Sequence, residues 1–119
     1  MSVDNNWRSA ETEIANKRII EKIIEEVTCQ QILDGDVVIP EYDRKKGEVL
    51  FAIFSGGLAG GDTYLLTKDG AYSGRYFNRA NVQLPISEKE ELEICEQLRQ
   101  VVLRHDPELG NKLPVFQPS

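Results

Sequence analysis

Thr63-Tyr64-Leu65-Leu66-Thr67-Lys68-Asp69-Gly70-Ala71-Tyr72-Ser73-Gly74-Arg75-Tyr76-Phe77 is the stretch that decides the fold. Two runs of strand-forming residues, Thr63 to Thr67 and Ala71 to Phe77, flank Lys68-Asp69-Gly70. An Asp-Gly pair between such runs marks a hairpin, because Gly accepts the positive φ of a tight turn. Alternation then places Tyr72, Gly74 and Tyr76 on one face of the second strand, and Ser73, Arg75 and Phe77 on the other.

Upstream of the hairpin lies Ser55-Gly56-Gly57-Leu58-Ala59-Gly60-Gly61-Asp62, which holds four of the nine glycines. It reads as a wide hairpin loop following Val49 to Phe54. That nearly continuous apolar run predicts a buried strand. Asp43-Arg44-Lys45-Lys46-Gly47 is a polar turn, its bases read as a solvated cluster. Before it, Asp36 to Tyr42 contains Val37, Val38 and Ile39, good strand formers. Pro40 removes a ladder donor and places this strand at a sheet edge. The strands from Asp36 to Phe77 therefore predict a four-stranded antiparallel meander.

Helices bracket the meander. Ile20, Ile23, Ile24 and Val27 follow the i, i+3, i+4, i+7 rule, predicting a helix from about Ala10 to Leu33. Ser9 is its expected N-cap and Asp34-Gly35 its stop. Residues 1–8 read as a loose arm. After the hairpin, Asn78 to Pro85 reads as a connector. Ser87-Glu88-Lys89-Glu90 has the form of a capping box, and Leu92, Cys95, Leu98 and Val102 form the apolar stripe of a second helix. Pro107 bounds that helix, and residues 108–119 read as an extended tail. One greasy face per helix, and a meander with one wet face, predict both helices on the same side of the sheet. The expected architecture is a single two-layer α+β domain over residues 1–119.

The bulk properties exclude several functions. The chain carries 20 acids against 14 bases, a formal charge of −6, which makes it a poor default binder of polyanionic nucleic acid. No apolar run approaches the ~20 residues of a membrane span. The polar, acidic N-terminus is no signal peptide, so a cytoplasmic location is expected. Cys29 and Cys95, both inside predicted helices, read as small buried hydrophobes, with a disulfide between the helices as the alternative.

No catalytic set, cofactor motif or metal site emerges. Gly56 and Gly61 have the spacing of phosphate-loop glycines, but Asp62 and Thr63 follow where Lys and Ser/Thr are required. A strand follows the loop, so no helix N-terminus faces an anion. His105, the single histidine, is explained by the dipole at its helix C-terminus. A dyad with Cys29 or Cys95 is the catalytic alternative. The scattered Cys and His lack metal-ligand spacing.

Tyr64-Leu65-Leu66-Thr67-Lys68-Asp69-Gly70-Ala71-Tyr72 resembles a hairpin of bacterial pleckstrin-homology-like domains, where a Leu-Thr strand turns into one opening with an aromatic. The resemblance covers this short segment, and the two-helix frame departs from the single C-terminal helix of that family. The functional expectation rests on the residues instead. Carboxylates crowd the helix surfaces at Glu25, Glu26, Glu90, Glu91, Glu93 and Glu96, an acidic surface suited to a basic partner. Leu58, Asp62, Tyr72, Arg75 and Tyr76 are the expected contact residues, apolar loop tip and aromatic hairpin together. The chain thus reads as a small interaction module, such as an inhibitor, immunity-type or regulatory subunit. Its partner is another protein or a second copy, and neither nucleic acid nor a membrane. The alternative is a small-ligand or nucleotide binder using loop 55–62.

Overall fold

The structure, a computed structural model, describes residues 2–54, 61–77 and 80–117, with side chains for 16–54, 61–74 and 84–117. In chain order the elements are α1 (Ser2–Cys29), β1 (Asp36–Asp43), β2 (Glu48–Phe54), β3 (Gly61–Thr67), β4 (Gly70–Phe77), β5 (Ala80–Pro85), α2 (Lys89–His105) and α3 (Pro107–Gly110). The strands form one antiparallel sheet in sequence order. The fold is the expected helix, meander, helix, with five strands rather than four.

The additional strand is β5, which the sequence presented as a connector. Ala80-Asn81-Val82-Gln83-Leu84-Pro85 lacks a strong hairpin signal before it and ends in proline. Proline is tolerated at an edge, and β5 lies at one edge of the sheet. β1 occupies the other edge, as Pro40 required, and its register shifts between Val38 and Glu41.

α1 begins at Ser2 and not near Ala10, so residues 2–8 are helical where an arm was expected. No Gly or Pro interrupts residues 2–29, and nothing forces a start at Ser9. The helix also ends earlier than Leu33. Gln31 takes a left-handed φ of 53°. Ile32 N–H then donates to Val27 O at 3.1 Å and Gln31 N–H to Thr28 O at 3.1 Å. This Schellman closure turns Leu33 back into the core, where it is 6% exposed. α2 starts after Glu88, whose side chain makes no capping bond, so the expected capping box does not form. Ile86 N–H still donates to Ala71 O, which keeps the chain paired to β4 up to the residue before the expected cap.

Register places Val37, Val49, Phe51, Leu66 and Ala71 on one sheet face. They pack in one cluster with Ile23 and Val27 of α1 and Cys95, Leu98, Val101 and Val102 of α2. Both helices therefore cover the same face. Removing a side chain such as Phe51 from water contributes about 2–3 kcal/mol. The opposite face carries Val38, Leu50, Ala52 and Leu65.

The C-terminal segment is not wholly extended. Asp106 caps α3 by accepting from Leu109 N–H. Gly110 lets α3 lie against α2: a Cβ there would stand 2.5 Å from Leu103 Cα. Leu109, Leu113 and Phe116 enter the core cluster. Phe116 N–H donates to Glu96 Oε1 at 3.0 Å, which straps the tail to α2.

Candidate functional site

By register, the expected contact residues of β3 and β4 fall on two faces of the sheet. Asp62 stands opposite Arg75 on the helix-covered side of the hairpin, while Tyr72 falls on the other face, opposite Leu65. Tyr76, opposite Gly61, shares the face of Tyr72 by register. The side chains of Arg75 and Tyr76, and the whole of Leu58, lie outside the described residues. Gly61 and Asp62 belong to β3 rather than to the glycine loop. Gly61 is required there, since a Cβ would stand 2.0 Å from Ile53 O.

What the structure does assemble is a cleft of about 430 Å³ between the β3–β4–β5 surface and the start of α2. It arises from one cross-strand row, Phe51–Tyr64–Ser73–Leu84. Phe51 is fully buried under the helices, whereas Leu84 is 64% exposed. The helices cover the β2 and β3 part of the row and leave its β5 end open. Asp62 enters from the neighbouring row and Glu91 from the first turn of α2.

The cleft is acidic and partly apolar. Burial raises the Tyr64 phenol above its ordinary value, and the negative charges of Glu91 and Asp62 raise it further. The phenol therefore stays protonated and can donate or accept a hydrogen bond. Asp62 already interacts within the fold, which leaves Glu91 the larger share of the charge offered to a ligand. Two carboxylates, the hydroxyls of Tyr64 and Ser73, and the exposed face of Leu84 suit a long cationic side chain with an apolar stem. A phosphate would be repelled at the same place.

The catalytic alternative gains nothing from the geometry. Cys95 is fully buried; burial, and then the charge of Glu91, push its thiol up to about 12. His105 Nε2 lies 2.9 Å from Glu26 Oε1, where Glu26 also receives Arg104. Both cysteines are free, and Cys29 is exposed instead of buried. No described grouping of His, Cys, Asp and Glu is arranged to hold a metal ion.

One polar cluster was not foreseen. Asp106, 4% exposed, accepts from the Tyr42 hydroxyl, from Arg44 Nε at 3.0 Å and from Leu109 N–H at 3.3 Å. Arg44 also faces Glu108 at 3.4 Å, and Lys112 Nζ donates to Arg44 O at 2.6 Å. Burial opposes ionisation of Asp106, but the bonds from Tyr42, Arg44 and Leu109 outweigh it and lower its pKa. The basic turn is therefore clamped to α3, with Arg44 half-buried. Asp106-Pro107 was the available signal, an N-cap residue before a first-turn proline. Its partners were invisible because Tyr42 lies 64 positions away.

No described helix is long and apolar enough to cross a membrane. No protein-family model matches the chain, and no curated protein or solved structure is measurably similar to it.

Proposed function

We propose that the chain is a small cytoplasmic protein-interaction module, an inhibitor, immunity-type or regulatory subunit, and that the cleft beside α2 receives a basic segment of its protein partner. The observation that carries this reading is the convergence of Glu91 and Asp62 on the exposed Leu84. Charge selects and steers the partner, and the apolar surface supplies burial. The two free thiols agree with a reducing compartment. The acidic lining disfavours a phosphate in the cleft, because both carboxylates repel it; residues 55–60, on which the nucleotide alternative rests, lie outside the described residues.

The reading is tested by capture from the native host. Tagged wild-type chain is compared with the Asp62→Asn/Glu91→Gln double variant, followed by crosslinking and mass spectrometry. The wild type should retain a protein that the variant loses, and retention should weaken as salt rises. Capture of no protein by either chain, together with a monomer by light scattering, overturns the reading. Stabilisation by a nucleotide or metabolite in a thermal-shift screen would favour the alternative.

A further inference from the structure

The acidic cleft opens onto a sheet edge that offers main-chain hydrogen bonds. Ile86 N–H donates to Ala71 O at 3.1 Å, continuing the register in which Tyr72 faces Pro85. Bonded and non-bonded pairs alternate along an antiparallel ladder. Ala80, Val82 and Leu84 therefore turn their amide groups inward to β4. Asn81, Gln83 and Pro85 turn theirs outward. The missing N–H of Pro85 falls on the outer side, where it breaks no bond within the sheet. Among the described residues no strand pairs with this edge.

The two edges of the sheet differ in protection. Each carries a proline, Pro40 within β1 and Pro85 at the end of β5; β1 alone adds a register shift, between Val38 and Glu41, a feature by which edges resist added strands. β5, Ala80-Asn81-Val82-Gln83-Leu84-Pro85, contains no charged residue, and its register is unbroken from Phe77↔Ala80 to Tyr72↔Pro85. Of the three large hydrophobics that stand exposed among the described residues, Leu84 at 64% lies on this strand. Leu84 also closes the row Phe51–Tyr64–Ser73–Leu84 on the open side of the cleft.

We infer that β5 accepts an extended basic segment of the partner as a further strand of the sheet. The outward amides of Asn81 and Gln83 bond its backbone, and a Lys or Arg of the guest reaches over Leu84 to Glu91. This rests on the reading of the cleft as a receptor for a basic partner and adds how that partner binds. A strand added beside β5 lies about 4.8 Å away, so the guest residue opposite Leu84 extends the cross-strand row. Its long apolar stem covers Leu84 while its charge meets the carboxylates. Charge complementarity with Glu91 selects a basic occupant; a second copy paired through its own β5 has no cation within residues 80–85 and would have to bring Arg79, the residue before that strand, so the oligomeric state separates the two. Backbone bonds supply the affinity of such a complex and alternate side chains its specificity.

The test uses the full chain and three fluorescein-labelled short peptides, read by anisotropy. One alternates Lys and Val, the second is the same peptide N-methylated at alternate amides, and the third alternates Glu and Val. The Lys–Val peptide should bind saturably. Gln83→Pro should weaken it by about tenfold, the effect of one lost hydrogen bond with its unpaired partner, and N-methylation, which removes a guest donor at both Asn81 and Gln83, should weaken it further. Glu91→Gln should weaken it similarly, and the Glu–Val peptide should not bind. Thermal melts establish that the variants fold; if Gln83→Pro does not, the N-methylated peptide makes the same measurement on wild-type protein. Equal binding of the N-methylated peptide, with loss on Glu91→Gln, overturns strand addition and leaves the acidic receptor standing. Equal binding of the Glu–Val peptide overturns the basic occupant and the receptor reading together. A dimer by light scattering that Gln83→Pro abolishes assigns the edge to a second copy and overturns the proposal. Binding of none of the peptides by folded protein overturns it as well.

Discussion

The two ends of the sheet treat their polar groups in opposite ways. At the Arg44–Gly47 turn, the carboxylate of Asp106 is buried and takes three donors, from Tyr42, Arg44 and Leu109. At the glycine-loop end, the carboxylate of Glu91 and the hydroxyls of Tyr64 and Ser73 line an open cleft. A buried group whose hydrogen bonds are made within the fold holds the fold together. Groups presented to solvent from packed strands and a helix are available to something outside it. The difference gives the first end its part in stability and makes the second the place where the proposed recognition acts.

The sharpest challenge to that division is Asp106→Ala. It leaves the Tyr42 hydroxyl, the Leu109 N–H and the half-buried Arg44 without their acceptor. Loss of one partner from such a network should cost about 3 kcal/mol. Urea unfolding should show a lower midpoint with an unchanged slope. A loss no larger than that of an ordinary surface substitution would falsify the clamp.

Gly110→Ala addresses the same end by geometry. Its Cβ would meet the backbone of Leu103 at 2.5 Å, so α3 must move off α2 and carry Asp106 with it. Overpacking of this kind costs about 1–3 kcal/mol. If Gly110→Ala and Asp106→Ala act through one contact, the double variant should lose less than their sum. Full additivity would separate the packing of α3 from the polar cluster.

The pH dependence has a determined sign. Burial works against ionisation of Asp106 and Glu96, but the hydrogen bonds each receives lower both pKa values. Arg104 chiefly lowers that of Glu26. Each group then contributes stability that is complete above its unfolded value, 3.8 for Asp and 4.5 for Glu. That stability is lost as pH falls through the lower folded value, because the unfolded chain binds more protons there. Acid titration of the unfolding midpoint should fall across this window. Asp106→Asn should start less stable at neutral pH and fall less steeply. An unchanged acid slope would remove Asp106 from the linkage.

The smallest stability effect belongs to the other end. Glu91→Gln should change unfolding free energy by less than about 0.5 kcal/mol, as surface substitutions do, while weakening a bound basic segment. A large stability loss would show that Glu91 serves the fold, and the contrast between the two ends would disappear.

The elements of this fold were legible where residues act on their neighbours. The Lys68-Asp69-Gly70 turn appears as a hairpin in which Thr67 pairs directly with Gly70. Pro40 marked an edge strand, and the stripe through Cys95, Leu98 and Val102 marked α2. β5 was hidden because its six residues become a strand only by pairing with β4. The end of α1 was hidden because Gln31 adopts a conformation usually given to Gly. The lining of the cleft was partly legible. Asp62 stood among the expected contact residues and Glu91 in the acidic helix surface, but Tyr64, Ser73 and Leu84 come from separate strands that only the sheet brings together.

By itself the sequence determined the class of structure: an apolar periodicity of helix, strands and helix, a tight hairpin and a proline-marked edge. Those are local consequences of backbone geometry and side-chain spacing. Only the tertiary structure decided which charges are satisfied and which are offered. Whether Arg44 meets Asp106, and whether Glu91 stands over the open end of the Leu84 row, depends on elements far apart in the chain. Whether a charge is clamped or left open to solvent depends on burial and partners, and both exist only after the layers have packed.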